Sequence, residues 1–214
     1  MIRNIVFDIG NVLAGFTWED RFSKFTETEE QFERVAAATI RSGLWCELDR
    51  GVLSDEEVIT QFVERDPEIE PVIRKCVENF DGMIREYPYT VTWIRELKAK
   101  GYGVYYLSNM PWMALRDCGN EMRFCELTDG GIMSCREQLI KPDRAIYLLL
   151  MSRFGLSADE CVFLDDSERN VRAAEELGMH GIHFKNAKQA LDELFELSVR
   201  VGSLRDAVVL ETAN

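Results

Sequence analysis

Apolar and polar positions along the chain fall into two rhythms. In one, nearly every residue of a short run is apolar and the run stops at a polar group: Ile5-Val6-Phe7 before Asp8, Val104 to Leu107 before Ser108, and Cys161 to Leu164 before Asp165. Runs this short and this rich in β-branched and aromatic residues predict strands covered on both faces. Two further strands are expected at Ile132–Cys135 and Gly181–Phe184. In the other rhythm the apolar residues recur at helical spacing. Helices are predicted around Val91–Lys98 before Gly101, over Ala145–Phe154 closed by Gly155, over Glu168–Leu177 stopped by Gly178, and over Ala187–Leu197. Strands alternating with helices of these lengths imply an α/β fold with a parallel sheet.

From about Trp18 to Phe80 the strand rhythm disappears. Phe22 and Phe25, then Phe32, Val35 and Ala36, then Val58, Ile59, Phe62 and Val63 keep helical spacing. Ser54-Asp55-Glu56-Glu57 opens one of these helices with a capping-box pattern, Ser54 at the cap and Glu57 three residues on. This stretch reads as a helical insertion without strands. Residues 198–214 carry no clear pattern.

The 214 residues suffice for one substantial core and a small inserted subdomain. A formal net charge of -13 repels nucleic acid and acidic membrane surfaces. No apolar run nears the roughly 18 residues of a membrane span, and no basic leader precedes the first strand, so a cytoplasmic location is expected. The six cysteines are scattered, without a C-x-x-C pair or a histidine at ligand spacing, and read as reduced, mostly buried thiols. His180 and His183, three apart near the last strand, point to opposite faces on a structural reading.

In open parallel sheets, ligands bind beyond the carboxyl ends of the strands. Asp8, Ser108-Asn109 and Asp165-Asp166 all stand at such ends, and Lys141 lies in a loop between a strand and a helix. Three convergent carboxylates repel one another unless a hard cation sits among them, and an oxygen-rich site with few ligands suits Mg²⁺. A phosphate dianion fits beside Mg²⁺ and Lys141.

Ile-Val-Phe-Asp8-Ile-Gly10-Asn-Val, Leu-Ser108-Asn109, Lys141-Pro142 and Phe-Leu-Asp165-Asp166-Ser-Glu-Arg-Asn170, in this order, resemble the ordered motifs of the haloacid dehalogenase superfamily. The resemblance runs from residue 5 to about 185. It implies a Rossmann-like core of residues 1–16 and 84–200, with residues 17–83 as a helical cap inserted after the first strand. Asp8 matches the nucleophile that forms an aspartyl-phosphate, Ser108, Asn109 and Lys141 the phosphate-holding groups, and Lys141 a catalytic one as well. Asp166 matches the direct metal ligand, Asp165 a ligand acting directly or through water, and Gly10 a main-chain carbonyl ligand. Asn170 matches a residue that supports the last motif by hydrogen bonds. The implied activity is Mg²⁺-dependent hydrolysis of a small phosphorylated metabolite, by a monomer or a homodimer.

Gly10 departs from the family pattern, because most phosphatases of the superfamily carry Asp there as general acid and base. General acid–base help is worth about 10²–10⁴-fold, so its absence slows catalysis without abolishing it. Asp-x-Gly-Asn-Val and Arg50-Gly51-Val-Leu-Ser54 resemble the branch containing α-D-glucose-1-phosphate phosphatases. A sugar 1-phosphate suits a site without that acid, since an anomeric hydroxyl leaves more readily than an ordinary alcohol. Trp18, Trp45 and Arg50 are the expected substrate contacts from the cap side, while Trp93 and Trp112 are expected to pack. Two other functions compete: a metal-free 2-haloacid dehalogenase using the same Asp8, and a catalytically weak binding or regulatory protein on the same fold.

Overall fold

The computed structural model of the chain describes residues 1–201. Its strands are β1 (Asn4–Phe7), β2 (Ala14–Phe16), β3 (Ile84–Glu86), β4 (Gly103–Ser108), β5 (Gly130–Met133), β6 (Cys161–Asp165) and β7 (His180–His183). Five of them form one parallel sheet in the order β5-β4-β1-β6-β7. The most apolar runs, β1 and β6, lie inside it, with Ile5 level with Val104 on one side and Val162 on the other. From β1 the chain builds outward through β4 and β5, then returns to β1's other side as β6. That reversal leaves a crevice at the carboxyl ends of β1 and β6, where Asp8 and Asp165 stand.

Helices α6 (Thr90–Ala99), α7 (Trp112–Asp117), α8 (Ser134–Glu137), α9 (Arg144–Phe154), α10 (Glu168–Glu175) and α11 (Ala187–Glu196) follow the later strands; five shorter or longer helices precede them between β2 and β3. Alternate residues of each strand supply the two faces of the sheet. Ile5, Phe7, Val162 and Leu164 pack with Trp93, Ile94, Leu97, Leu191 and Leu194. Val6, Leu107 and Phe163 pack with Ile146, Tyr147, Leu150 and Ala174. The rings of Phe7 and Trp93 meet edge to face at 5.0 Å, and those of Tyr147 and Phe163 at 5.6 Å.

The helices before β3 are α1 (Trp18–Phe22), α2 (Glu29–Ala38), α3 (Trp45–Arg50), α4 (Asp55–Arg65) and α5 (Glu70–Val77). The capping box of α4 is formed, Ser54 Oγ accepting from the Glu57 N–H and Glu57 accepting from the Ser54 N–H. Two short strands escape the sequence pattern. β2 and β3 pair antiparallel where the chain enters and leaves the helical segment, Phe16 opposite Ile84. Three residues of mixed polarity are too few to show a period. Their neighbourhood is tied further by Tyr87 N–H to the Leu13 carbonyl at 3.1 Å and by Tyr89 Oη to the Val12 carbonyl at 2.9 Å.

The strand expected at Ile132–Cys135 begins earlier, at Gly130, and Ser134 and Cys135 belong to α8. A Cβ on Gly131 would enter the Tyr106 ring, so glycine here permits close strand packing. Trp93 is fully buried, whereas Trp112, expected to pack, is 46% exposed. All six cysteines are free thiols, with Cys76, Cys118, Cys135 and Cys161 buried. Among the described residues no helix is long and apolar enough to cross a membrane.

Arg21 shows what holds the helical segment to its own frame. It is buried, and its guanidinium donates to the carbonyls of Cys76 at 3.0 Å, Lys75 at 3.1 Å and Asp81 at 3.3 Å. Two of these carbonyls lie at the C-terminal end of α5, where the helix dipole favours a cation. Arg21→Met keeps much of the side-chain volume but strands those acceptors. It should lower the unfolding free energy by about 1.5–3 kcal/mol, the range for hydrogen bonds to a charged group, in urea denaturation at neutral pH.

Candidate active site

Each strand end of the crevice delivers one polar side chain because its preceding residues are locked in the core. Asp8 follows β1, its N–H bonded to the Leu164 carbonyl at 2.8 Å. Asp165 ends β6 with no exposed surface. Lys141 enters between them, its Nζ 2.8 Å from Asp8 Oδ1 and 2.6 Å from Asp165 Oδ2, with 1% of its side chain exposed. Burial works against the lysine charge, but Asp165 and Asp8 outweigh it and raise the pKa above the ordinary lysine value. Asp8 is pushed upward by burial and by the carboxylates of Asp165 and Asp166, against the pull of Lys141.

Asp165 is saturated. Besides Lys141, it accepts from the Ser167 N–H at 2.8 Å and from Asn170 Nδ2 at 3.0 and 3.1 Å. Asn170 is itself positioned through its carbonyl, which accepts from Tyr147 Oη at 2.9 Å. Asp166 is the exposed member of the group. One of its oxygens takes a hydrogen bond from Asn11 Nδ2 at 2.9 Å, and its carbonyl faces His183 Nε2 at 3.0 Å. Asp8, Asp165 and Asp166 each offer a carboxylate oxygen within 4.8 Å of the others. This all-oxygen donor set fits a small hard cation, which would turn the upward push on Asp8 downward.

Above the carboxylates lies a cleft of about 210 Å³, lined by Asp8, Gly10, Asn11, Asn109, Asp166 and Asp49 and walled by Phe16, Trp45, Phe80, Ile84, Met110 and Pro111. Trp45 lies 6.0 Å from Phe16, 5.8 Å from Phe80 and 6.1 Å from Phe62, ring centre to ring centre. Ser108 and Lys141 are buried and do not line the cleft; Lys141 reaches it only through Asp8.

Several of the expected contacts stand elsewhere or serve differently. Trp18 is not at the cleft: it stacks on Phe32 at 5.7 Å and meets Phe22 edge to face, within the helical segment. Arg50 is not at the cleft either, and neither Asp49 nor a substrate site is its partner. It pairs with Glu47 at 3.7 Å and with Asp143, beside the Lys141 loop, at 3.6 Å. The Asn109 side chain clamps the main chain of Lys141, accepting from its N–H at 2.8 Å and donating to its carbonyl at 3.1 Å. One N–H of the Asn109 amide is thereby committed to the Lys141 main chain.

Two residues at the site were passed over in the sequence. Asn11 stands inside the quoted Asp8-x-Gly10-Asn motif; its φ of 56° is one that asparagine tolerates, and it joins Asp166 to the Phe16 N–H. Asp49 directly precedes Arg50-Gly51, and only its burial marks it out.

A family model described as haloacid dehalogenase-like hydrolase matches residues 2–178, and the chain belongs to that family. It is 29% identical to a sesquiterpene phosphatase of Aspergillus oryzae, over 90% of this chain and 94% of that one. It is 27% identical to a flavin mononucleotide hydrolase of Arabidopsis thaliana, over 74% of this chain but 63% of that protein. A haloacid dehalogenase family enzyme of Bacteroides thetaiotaomicron, solved with magnesium and inorganic phosphate, superposes with a TM-score of 0.66 at 21% identity, covering 87% of this chain and 96% of that one.

Burial raises Asp49 from the ordinary 3.8 to about 7, with Lys141 pulling it down and Asp8 pushing it up. A carboxyl whose folded pKa is raised binds more protons folded than unfolded between those values. Its contribution is present below the unfolded pKa and lost as pH rises through the folded one. In chelator, thermal melts of Asp49→Asn should therefore gain stability relative to the wild type as pH rises from 3.8 to about 7, because the variant lacks the contribution that the wild type loses there.

Proposed function

We propose that the chain is a Mg²⁺-dependent phosphomonoesterase that works through a phosphorylated Asp8 on a compact organic phosphate with an apolar leaving group. The observation that carries this reading is the buried ammonium of Lys141 held between Asp8 and Asp165, with Asp166 completing a group of three carboxylates. One ammonium leaves two of the three negative charges unbalanced, and a divalent cation supplies the remainder. Asp8, Asp166 and the Gly10 carbonyl would hold it, while Asp165, whose acceptor positions are already filled, would keep Lys141 in place beside it. Once bound, Mg²⁺ supplies charge neutralisation for the phosphoryl oxygens.

The protein's own groups then divide the work. Lys141 and the Ile9 N–H, 2.7 Å from Asp8 Oδ1, fix the carboxylate so that it faces phosphorus without rotating. The loops after Asp8 and Ser108 offer main-chain N–H groups to the phosphate. An Asp8 oxygen bonds phosphorus as the ester oxygen departs, and water then splits the acyl phosphate, restoring Asp8. A 2-haloacid dehalogenase is disfavoured, because its carboxylate substrate would meet Asp165 and Asp166 without a neutralising metal.

The wall supports an apolar leaving group. Phe16, Trp45, Phe80, Ile84, Met110 and Pro111 offer no side-chain hydrogen bonds apart from the Trp45 indole. A sugar 1-phosphate would find few partners for its hydroxyls along this wall, and one N–H each of Asn11 and Asn109 is already committed to Asp166 and Lys141.

Phosphate release from 2-phenylethyl phosphate, glycerol phosphate and glucose 1-phosphate tests both parts. Release should require Mg²⁺ and fall at least about 10³-fold in Asp8→Asn. The phenylethyl ester should lead the panel, and Trp45→Ala should lower its kcat/KM about 10-fold while changing glycerol phosphate less. Full activity in EDTA or in Asp8→Asn would overturn the mechanism, and a lead for glucose 1-phosphate would overturn the apolar substrate.

A further inference from the structure

Three observations converge on a residue of the helical segment. Asp49, at the end of α3, lines the same cleft as Asp8, yet its side chain is buried and makes no hydrogen bond or ion pair among the described residues. Its oxygens are not shut off from the cleft, so whatever occupies the cleft, water or a substrate atom, is what they meet. Gly10, also in the lining, leaves a gap: a Cβ placed there would meet nothing within 4 Å. The fold thus has open space for a side chain at Gly10, and the carboxylate that the same cleft holds comes from Asp49 of α3 instead.

The backbone of Asp49 is fixed to the core. Ser134 Oγ donates to the Asp49 carbonyl at 2.5 Å and accepts from the Met110 N–H at 2.8 Å, so one hydroxyl joins α3 to the loop after β4. Gly51, with φ at 68°, lets α3 end directly on α8; a Cβ there would lie 2.8 Å from Cys135. The Arg50–Asp143 pair adds a second tie, to the Lys141 loop. A side chain carried on a helix docked at these points keeps its place over the strand ends.

Building on the phosphatase reading, we infer that Asp49 is the general acid and base of the reaction, supplied across the cleft in place of the carboxylate absent at Gly10. In the first half-reaction Asp8 bonds phosphorus while the ester P–O bond breaks, and the Asp49 carboxylic acid gives its proton to the departing oxygen. A neutral alcohol and an Asp49 carboxylate result. In the second, that carboxylate takes a proton from the attacking water, the water oxygen bonds phosphorus, and the bond from phosphorus to Asp8 breaks. Inorganic phosphate leaves and both carboxyl groups return to their starting states. Burial favours the protonated form needed at the outset, against Lys141 and with Asp8. The other ionisable groups that feel Asp49 are the Cys135 thiol of α8 and Cys46 of α3, both themselves raised by burial.

Leaving-group dependence tests this assignment, because p-nitrophenolate departs without a proton and an alkoxide does not. Wild type, Asp49→Asn and the double variant Asp49→Asn with Gly10→Asp are compared with Mg²⁺ in single-turnover and steady-state assays on p-nitrophenyl and 2-phenylethyl phosphate. Asp49→Asn should slow alcohol release from the alkyl ester about 10²–10⁴-fold, slow p-nitrophenolate release less than about 10-fold, and flatten the alkaline limb of the alkyl pH profile. Gly10→Asp should restore at least about 10-fold of the alkyl loss. Equal losses of alcohol and p-nitrophenolate release in single turnover, before the shared acyl phosphate is hydrolysed, or a raised KM with unchanged kcat, would overturn the acid–base role in favour of a structural or binding one. Turnover of neither ester by the wild type would instead remove the phosphatase reading itself, and this inference with it.

Discussion

The buried Lys141 ammonium, shared between Asp8 and Asp165, is the contact on which the site depends. Removing two carboxylates from water is tolerable only because a cation is removed with them, and that cation is tolerable only because its own donors are used. Asn109 clamps the lysine's main chain, Asn170 and the Ser167 N–H fill the remaining acceptor positions of Asp165, and Tyr147 holds Asn170. Loss of any one of these leaves a buried charge short of a partner. The order of the sheet follows the same need, since β1 and β6 must be neighbours for one lysine to reach both strand ends.

The helical segment is part of the same structure and not an appendage. One continuous hydrophobic cluster runs from Phe7 and Trp93 at the sheet to Phe62, Ile73 and Val77 in the helices. The Trp45 ring, between Phe62 on one side and Phe16 and Phe80 on another, makes that cluster the wall of the cleft. The apolar burial that stabilises the helices therefore also shapes the wall of the cleft above Asp8. Ser134 and Gly51 fix the distance between α3 and α8 through main-chain contacts, which are insensitive to the identity of most side chains of the helical segment.

A strongly acidic protein, with a net charge of -13, thus accommodates a site for anions by local means. Exposed ion pairs such as Arg41–Glu33 and Lys188–Asp192 are screened by water and contribute little at the crevice. Inside, where screening is weak, a single lysine and the main-chain dipoles at the strand ends weigh more than the overall charge.

The order Asp8, Ser108, Lys141, Asp165-Asp166 was legible from the chain alone, because each residue ends an apolar run or opens a helix, and such local signals survive any packing. The α/β alternation and the Ser54 capping box were legible for the same reason. What the sequence left open depends on contacts between distant segments. β2 and β3 are too short to show a period and exist only because they pair with each other. Trp18, Trp45 and Arg50 looked alike as candidates, yet packing sent Trp18 against Phe32, Arg50 to Asp143 and only Trp45 to the cleft. Asp49 carried no local mark, since an aspartate before Arg-Gly at a helix end is ordinary until tertiary structure brings it into the lining of the cleft that it shares with Gly10. Sequence determined which chemical groups the strand ends present; tertiary structure decided which of the remaining side chains share the cleft with them, because burial and the direction of approach arise only when separate elements dock.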